Sequence, residues 1–306
     1  MNGIINVYKE RGFTSHDVVA KLRGILHQKR IGHTGTLDPE AEGVLPVCVG
    51  TATRLCEMLT DKRKVYETVM LFGIATDTED MTGTVMKRLP VRATRKELEE
   101  VLRTFTGEQL QLPPMYSAIK VDGKKLYELA REGKTVERKR RPVTIDCLEL
   151  LDSREDEQGF LCEASLRVTC GKGTYIRSLC RDIGERLGTC ACMKTLLRTQ
   201  SGDFLLQQSY RLSEIEEMRD QGRLSEWFIS VEDFFSSCGK LQMKKEWDRL
   251  LRNGNSFSED TCIVQPEAKE QSGQFRAYDA AGKFCGIYEY RQEKREYVPV
   301  KMFLEG

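Results

Sequence analysis

The sequence lacks most of the features that announce a function class. No apolar run in its 306 residues approaches the roughly 20 needed to cross a membrane. The opening MNGIINVYKERGFTSHD has no basic-then-apolar export pattern, so the cytosol is the expected compartment. The 11 cysteines include no CxxC pair and are odd in number. Cys190 and Cys192 are separated by a single residue, and the three histidines, His16, His27 and His33, lie far from them. The cysteines therefore read as small, mostly buried hydrophobes in a reducing compartment, not as disulfides or zinc ligands. Neither sign of charge is in excess, since 48 Lys and Arg face 47 Asp and Glu for a net +1. A nucleic-acid partner would therefore need a local basic surface. GxxxxGK[ST], GxGxxG and HExxH are all missing, and Gly171-Lys172-Gly173-Thr174 lacks the upstream glycine of a phosphate loop. This removes the common nucleotidase, dinucleotide-enzyme and metalloprotease classes.

What is present describes a globular chain, with 40% hydrophobic and 31% charged residues. The length suits one large domain and a small one. After a short strand (Ile4 to Val7), Thr14 or Ser15 caps a helix with Asp17 in its first turn and Val18, Val19, Leu22, Ile25 and Leu26 on one face. A glycine-punctuated loop from Gly32 to Gly43 leads to strands near Leu45 to Val49 and Tyr66 to Phe72. Thr94 with Glu97 forms a capping box for a helix with core face Leu98, Val101, Leu102 and Phe105. Leu161 to Thr169 alternates as a strand, Tyr175 to Leu187 reads as a helix stopped by Gly188, and Ser213 with Glu216 reads as a further capping box. Strands and helices without regular βα repetition predict an α+β fold with a mixed sheet. Residues 240 to 306 are broken by Gly254, Gly273, Gly282 and Gly286 and predict a small β-rich domain, so the expected division is 1–238 and 239–306. No internal repeat or low-complexity stretch is visible.

Two segments suggest chemistry. Lys120 to Arg141 holds nine Lys or Arg against four acids and ends in Arg138, Lys139, Arg140 and Arg141. Taken alone, this is either a solvated helix and loop or a basic arm that touches phosphates. The other segment is Gly32-His33-Thr34-Gly35-Thr36-Leu37-Asp38-Pro39-Glu40-Ala41-Glu42-Gly43-Val44-Leu45. The proline pushes Asp38 out of helical geometry, and Gly32, Gly35 and Gly43 permit close backbone approaches. By its residues alone, the loop is equally an Asx-Pro turn between strands or a presentation of one catalytic carboxylate.

That segment resembles GHxGxLDPxAxGVL of the bacterial TruB-type tRNA pseudouridine synthases, with every fixed position filled. Lys64-Val65-Tyr66 resembles the family's K-x-Y, Pro113 to Lys120 its PPxYSAxK, Arg141-Pro142-Val143 its R-x-V, Gly173 to Arg177 its GTYIRSL, and Leu196 to Thr199 its L-x-R-T. The match is collinear over residues 1 to about 205. It departs at the usual Lys-Pro of the first motif, where this chain has Lys9-Glu10, implying a looser turn.

The resemblance implies isomerisation of the T-loop uridine (position 55 of tRNA) to pseudouridine by base flipping, with no metal or cofactor. It implies that Asp38 is the carboxylate at the ribosyl carbon. Tyr66 would stack on the base and accept the C5 proton, and Arg177 would pair with Asp38 and keep it ionised. Tyr175 and Leu196 complete the pocket wall, His33 holds the T loop open, and Lys9, Lys64 and Arg141 are further substrate contacts. The basic stretch corresponds to an RNA-gripping insertion, with Tyr127 offering an aromatic face. The terminal domain resembles a PUA-type RNA-binding module around Leu250-Leu251-Arg252-Asn253-Gly254. The expected partner is the T arm of tRNA, met by a monomer without an obligate protein partner. Two other readings stand beside it: a tRNA-folding protein that does not need Asp38, and a guide-dependent relative acting on other RNA, which would bring terminal extensions and partners.

Overall fold

Every second residue of the segment Lys64–Phe72 is buried: Lys64, Tyr66, Thr68, Met70 and Phe72. A period of two with one buried face specifies a strand packed on a core. The structure is a computed structural model describing residues 1–264 and 273–304. In it this strand is central to a mixed nine-stranded sheet. The main path consists of β1 (Gly3–Lys9), β2 (Glu42–Val49), β3 (Lys64–Phe72), β4 (Gly107–Gln111), β5 (Arg141–Glu155), β6 (Leu161–Cys170) and β7 (Ala191–Ser201). Their order across the sheet is β1-β2-β7-β3-β6-β5-β4. Only the β7–β2 pairing is parallel on this path. Short strands Ile31–His33 and Phe204–Leu205 extend β2 and β7. This is the α+β, mixed-sheet architecture expected from the sequence.

The helices start where backbone donors find side-chain acceptors. Thr14 with Asp17 caps α1 (Ser15–Ile25), and Thr94 with Glu97 caps α2 (Arg95–Thr104). Helix α3 (Ile176–Arg186) is followed by Gly188 at φ 72°. One expectation is corrected. Helix α4 (Leu212–Asp220) is capped at Arg211, whose backbone N–H donates to Glu214, so Ser213 lies inside the first turn. The reason is packing. Leu212, Ile215 and Met218 form the stripe buried against α1, β1 and β2, and turning that stripe inward starts the helix at Leu212. The other large core places α2 and α3 against β3, β6 and β7.

Beyond Gly239 a six-stranded sheet forms around a core that includes Leu241, Leu251, Phe257, Phe275, Tyr288 and Tyr297. An apolar seam joins the two sheets: Ile4, Val44, Leu55 and Phe204 pack with Ile287 and Phe303, and the Arg54 guanidinium donates to the Met302 carbonyl at 2.6 Å. No helix among the described residues is long and apolar enough to cross a membrane.

The register aligns the chemistry. Lys9 pairs with Gly43, Gly43 with Arg198, Arg198 with Tyr66, and Tyr66 with Val168, so one row of residues crosses five strands. Gly43 has φ 105°, and a Cβ there would overlap the Arg198 backbone. Gly43→Ala is therefore expected to cost more than the roughly 1–3 kcal/mol of a strained φ alone. Gly159→Ala, at φ 83° with nothing within 4 Å, should show only that strain. Chemical denaturation of both variants checks this, and equal losses would remove the argument for a close approach at Gly43.

Candidate active site

The loop carrying Asp38 is fixed from below. Pro39 holds Asp38 out of helical geometry, and the Ala41 N–H closes a turn onto the Asp38 carbonyl at 3.1 Å. Ser15, fully buried at the start of α1, receives the Leu37 N–H at 2.9 Å. The Gly12 N–H donates to the Pro39 carbonyl at 2.9 Å. Lys9 is also fully buried, and its ammonium donates to the carbonyls of Glu10 and Pro39 at 3.1 Å each and of Ala41 at 2.5 Å. Lys64 is likewise buried and donates to the Thr60 and Lys62 carbonyls, both at 2.5 Å. Burial lowers both ammonium groups to about 8. The two lysines expected to meet substrate are thus occupied with backbone carbonyls inside the fold, where they shape the loop and its neighbouring strand.

Asp38 reaches into a partly open site with its side chain 38% exposed, whereas its partner Arg177 is only 4% exposed. Arg177, in the first turn of α3, grips Asp38 through both carboxylate oxygens, Nε to Oδ2 at 2.9 Å and Nη2 to Oδ1 at 3.2 Å. Paired contacts of this kind fix orientation as well as charge. The remaining guanidinium hydrogen bonds go to backbone: Nη1 donates to the Thr78 carbonyl and Nη2 to the Tyr116 carbonyl, each at 2.9 Å. Asp80 stands 3.8 Å from Nε and is held by Thr78 Oγ1 at 2.7 Å and the Thr82 N–H at 3.0 Å. Withdrawal from water pushes the Asp38 carboxyl above its ordinary value, and the Asp80 charge adds to this, while Arg177 opposes both. The guanidinium therefore limits the rise without cancelling it.

Two of the other residues expected from the sequence, Tyr66 and Tyr175, stand near enough to Asp38 to feel its charge. Tyr66, Leu37 and Leu196 belong to one buried apolar cluster. Burial raises the Tyr66 phenol, and the charge of the Arg198 guanidinium pulls it back. Tyr175 precedes α3 and is clamped by Gln111, which accepts its N–H at 2.8 Å and donates to its carbonyl at 3.0 Å. Its phenol too is raised by burial, and the Asp38 charge reaches both tyrosines. His33 ends the short strand before the loop, and burial lowers its pKa. Arg141 opens β5 opposite Gln111 and is exposed, close enough for its charge to act on Tyr175.

Sequence reasoning missed four participants. Arg198 is fully buried and donates from Nε to the Val44 carbonyl at 2.6 Å, beneath the Asp38 loop. Its position in the L-x-R-T match was visible, but its partner in another strand was not. Thr78 and Asp80 lie in an Asp-, Thr- and Gly-rich stretch that signals a turn without revealing what the turn touches. The Tyr116 carbonyl carries no sequence signal, since any residue supplies one. The basic stretch forms a small hairpin (Lys120–Val121 with Lys124–Lys125) and a short helix, Leu126–Arg131. The Tyr127 ring is flanked there by Lys125 and Arg131 at 5.3 and 5.4 Å. Between this insertion and α3 lies a cavity of about 560 Å³ lined by Glu79, Tyr116, Arg138 and Arg181.

Residues 23–176 match the model of the TruB family pseudouridylate synthase N-terminal domain, and residues 177–235 that of the tRNA pseudouridylate synthase B C-terminal domain. The chain is 55% identical over 307 residues to tRNA pseudouridine synthase B of Lachnoclostridium phytofermentans, covering 99% of this chain and 100% of that protein. It is 46% identical to the protein of the same name from Bacillus cereus, covering 95% and 93%. Among solved structures it resembles a Cbf5-Nop10-Gar1 complex at 25% identity and TM-score 0.69, covering 99% of this chain and 85% of that one. An H/ACA RNP bound to a substrate RNA containing 2'-deoxyuridine shares the fold at 22% identity, the same TM-score and the same coverage.

The buried lysines make a measurable signature. Folded Lys9 releases its proton at about 8, against 10.5 for the unfolded group. Between those values the unfolded chain binds more protons, so raising the pH favours the folded state. Relative to Lys9→Met, the wild type is expected to gain stability as pH rises through this window. Urea unfolding at both ends of it checks the sign, and parallel behaviour of the two proteins would refute it.

Proposed function

The chain belongs to the TruB family of pseudouridylate synthases, and from that membership we propose that Asp38 drives isomerisation of the T-loop uridine (position 55 of tRNA). The chain isomerises uridine to pseudouridine in tRNA. The observation that carries the residue assignment is Asp38 itself: a single carboxylate, presented by a fixed Asp-Pro turn and gripped at both oxygens by a buried arginine.

The reaction breaks the bond from ribose C1′ to uracil N1 and forms one from C1′ to C5. The C5 proton leaves and N1 gains one, so atoms and electrons balance within the substrate apart from this proton exchange. Positive charge develops at C1′ as the first bond breaks. Ionised Asp38 meets that charge, as carboxylates do at the anomeric carbon in glycoside cleavage. Arg177 holds the carboxylate in place. Tyr66 and Leu196 retain the detached uracil by stacking and apolar contact while it turns, and Tyr66 receives the C5 proton. The phenol oxygen takes that proton as phenolate; burial opposes that form and the positive charge of Arg198 favours it. His33 and Tyr175 hold the loop of RNA from which the base has been extruded.

Further RNA contact comes from the arm at 120–141, whose exposed lysines and arginines suit phosphates, and from the sheet domain spanning 239–306. The T arm meets one copy of the chain, without a protein partner.

Pseudouridine mapping on an unmodified tRNA transcript, by carbodiimide adduct stops, tests the assignment. Wild type should give one stop in the T loop and Asp38→Asn none; a stop elsewhere would overturn the substrate. Because burial raises the Asp38 pKa, the rate should fall with acidification at a pH above the ordinary carboxylate range. Arg177→Met removes the cation that favours the charged form. Its acid limb should move higher, with a rate loss of about 10²-fold or more. An acid limb that stays in place would detach Arg177 from Asp38's ionisation. Neutralising Arg138 to Arg141 together should flatten the salt dependence of tRNA binding, and an unchanged slope would exclude the arm as a phosphate contact.

A further inference from the structure

Helix α3 carries a second arginine one turn after Arg177, and the two span the same pair of loops. Arg177 links the Thr78 carbonyl to the Tyr116 carbonyl. Arg181 repeats the bridge one turn on: its Nη2 donates to the Leu112 carbonyl at 3.1 Å, and its Nη1 pairs with Glu79 Oε1. The other Glu79 oxygen receives the hydroxyl of fully buried Ser178 at 2.6 Å. Asp182 steadies Arg181 from the same helix at 2.7 Å. The Glu79 side chain is 11% exposed, so its charge is compensated where water is scarce.

Glu79 also has φ 63°, in the left-handed region that glycine occupies at no steric cost. A glutamate persists in such a conformation where its surroundings hold it there. Here the backbone is docked as well, since the Met193 N–H donates to the Glu79 carbonyl and the Met81 N–H to the Met193 carbonyl, both at 3.0 Å. The residues on either side of Glu79 are the ones that meet Arg177, Thr78 through its carbonyl and Asp80 through its carboxylate.

We propose that Glu79, locked by Arg181 and Ser178, is a positioning residue for the isomerisation. It holds the turn from which Thr78 and Asp80 brace Arg177, and through Arg177 it sets the aim of Asp38. The proposal rests on the catalytic reading of Asp38. If the turn shifts, a buried guanidinium N–H loses its acceptor and the arginine re-orients toward another. A displacement of about 1 Å in a reacting group can cost on the order of 10²-fold in rate.

The test compares single-turnover pseudouridine formation, tRNA dissociation constant and melting temperature for Glu79→Gln, Glu79→Gly, Arg181→Met and the Glu79→Gln/Arg181→Met pair. Glu79→Gln keeps the size and an acceptor for Ser178 but loses the ion pair. Glu79→Gly relaxes the backbone and removes the carboxylate. Both should lower the single-turnover rate by about tenfold or more while tRNA binding stays within about twofold. The double variant should be no slower than the slower single, because the two groups act as one unit. A wild-type rate in both Glu79 variants would overturn the proposal. So would rate losses that follow melting temperature across the set, or additive losses in the double variant. Asp38→Asn runs alongside: if it is inactive while both Glu79 variants are fully active, only the positioning role fails, whereas an active Asp38→Asn removes the catalytic reading beneath it.

Discussion

A carboxylate partly withdrawn from water is kept charged by a cation, and Arg177 supplies one to Asp38. Much of the structure around the pair serves to keep those two groups in register. Arg177 is buried and Asp38 is not, so the arginine is the fixed member and the carboxylate the one open to solvent. An arginine in that position has donors to spare beyond its carboxylate, and leaving them unmade in a buried site would be costly. The fold meets this with backbone carbonyls from two loops far apart in sequence, at Thr78 and Tyr116. The site is thus the meeting point of an N-terminal loop, a turn at 77–83, the segment before the basic arm, and the start of α3.

The sheet supplies the other half of the arrangement. One row of paired residues runs from Lys9 through Gly43 and Arg198 to Tyr66, bringing two buried cations under the Asp38 loop and a tyrosine beside it. Lys9 and Arg198 spend their donors largely on carbonyls, which stiffens the loop without placing a competing carboxylate near Asp38. Glycine at position 43 is what allows β2 and β7 to lie close enough for this row to form.

Much of this was legible in the sequence, and the boundary of legibility has a physical basis. The strand-like run of β3 and the Thr-x-x-acid caps of α1 and α2 are local patterns, and they placed those elements within a few residues. The family motifs named Asp38 and Arg177, which the structure pairs, and Tyr66, which the Asp38 charge reaches. The cap of α4 was misplaced because Ser213 offers the right chemistry, while the buried stripe from Leu212 decides the start. Lys9 and Lys64 illustrate a different limit. A lysine in a motif looks like a hand extended to RNA, and only the tertiary fold reveals that its ammonium is enclosed by carbonyls. Thr78, Asp80 and the Tyr116 carbonyl act through positions that a turn or a backbone takes up in space, which no spacing along the chain encodes.

The apolar seam between the two sheets bears on how the protein is made. Ile4 and Val44, from the first strands synthesised, share a core with Ile287 and Phe303, which follow nearly all the other described residues. During translation the first sheet must wait with that patch uncovered until the distal strands emerge from the ribosome. Exposed apolar surface on a growing chain invites capture by chaperones or by neighbouring nascent chains. The seam therefore makes completion of the first sheet's packing a late event in biosynthesis, although the candidate-site residues all precede the second sheet.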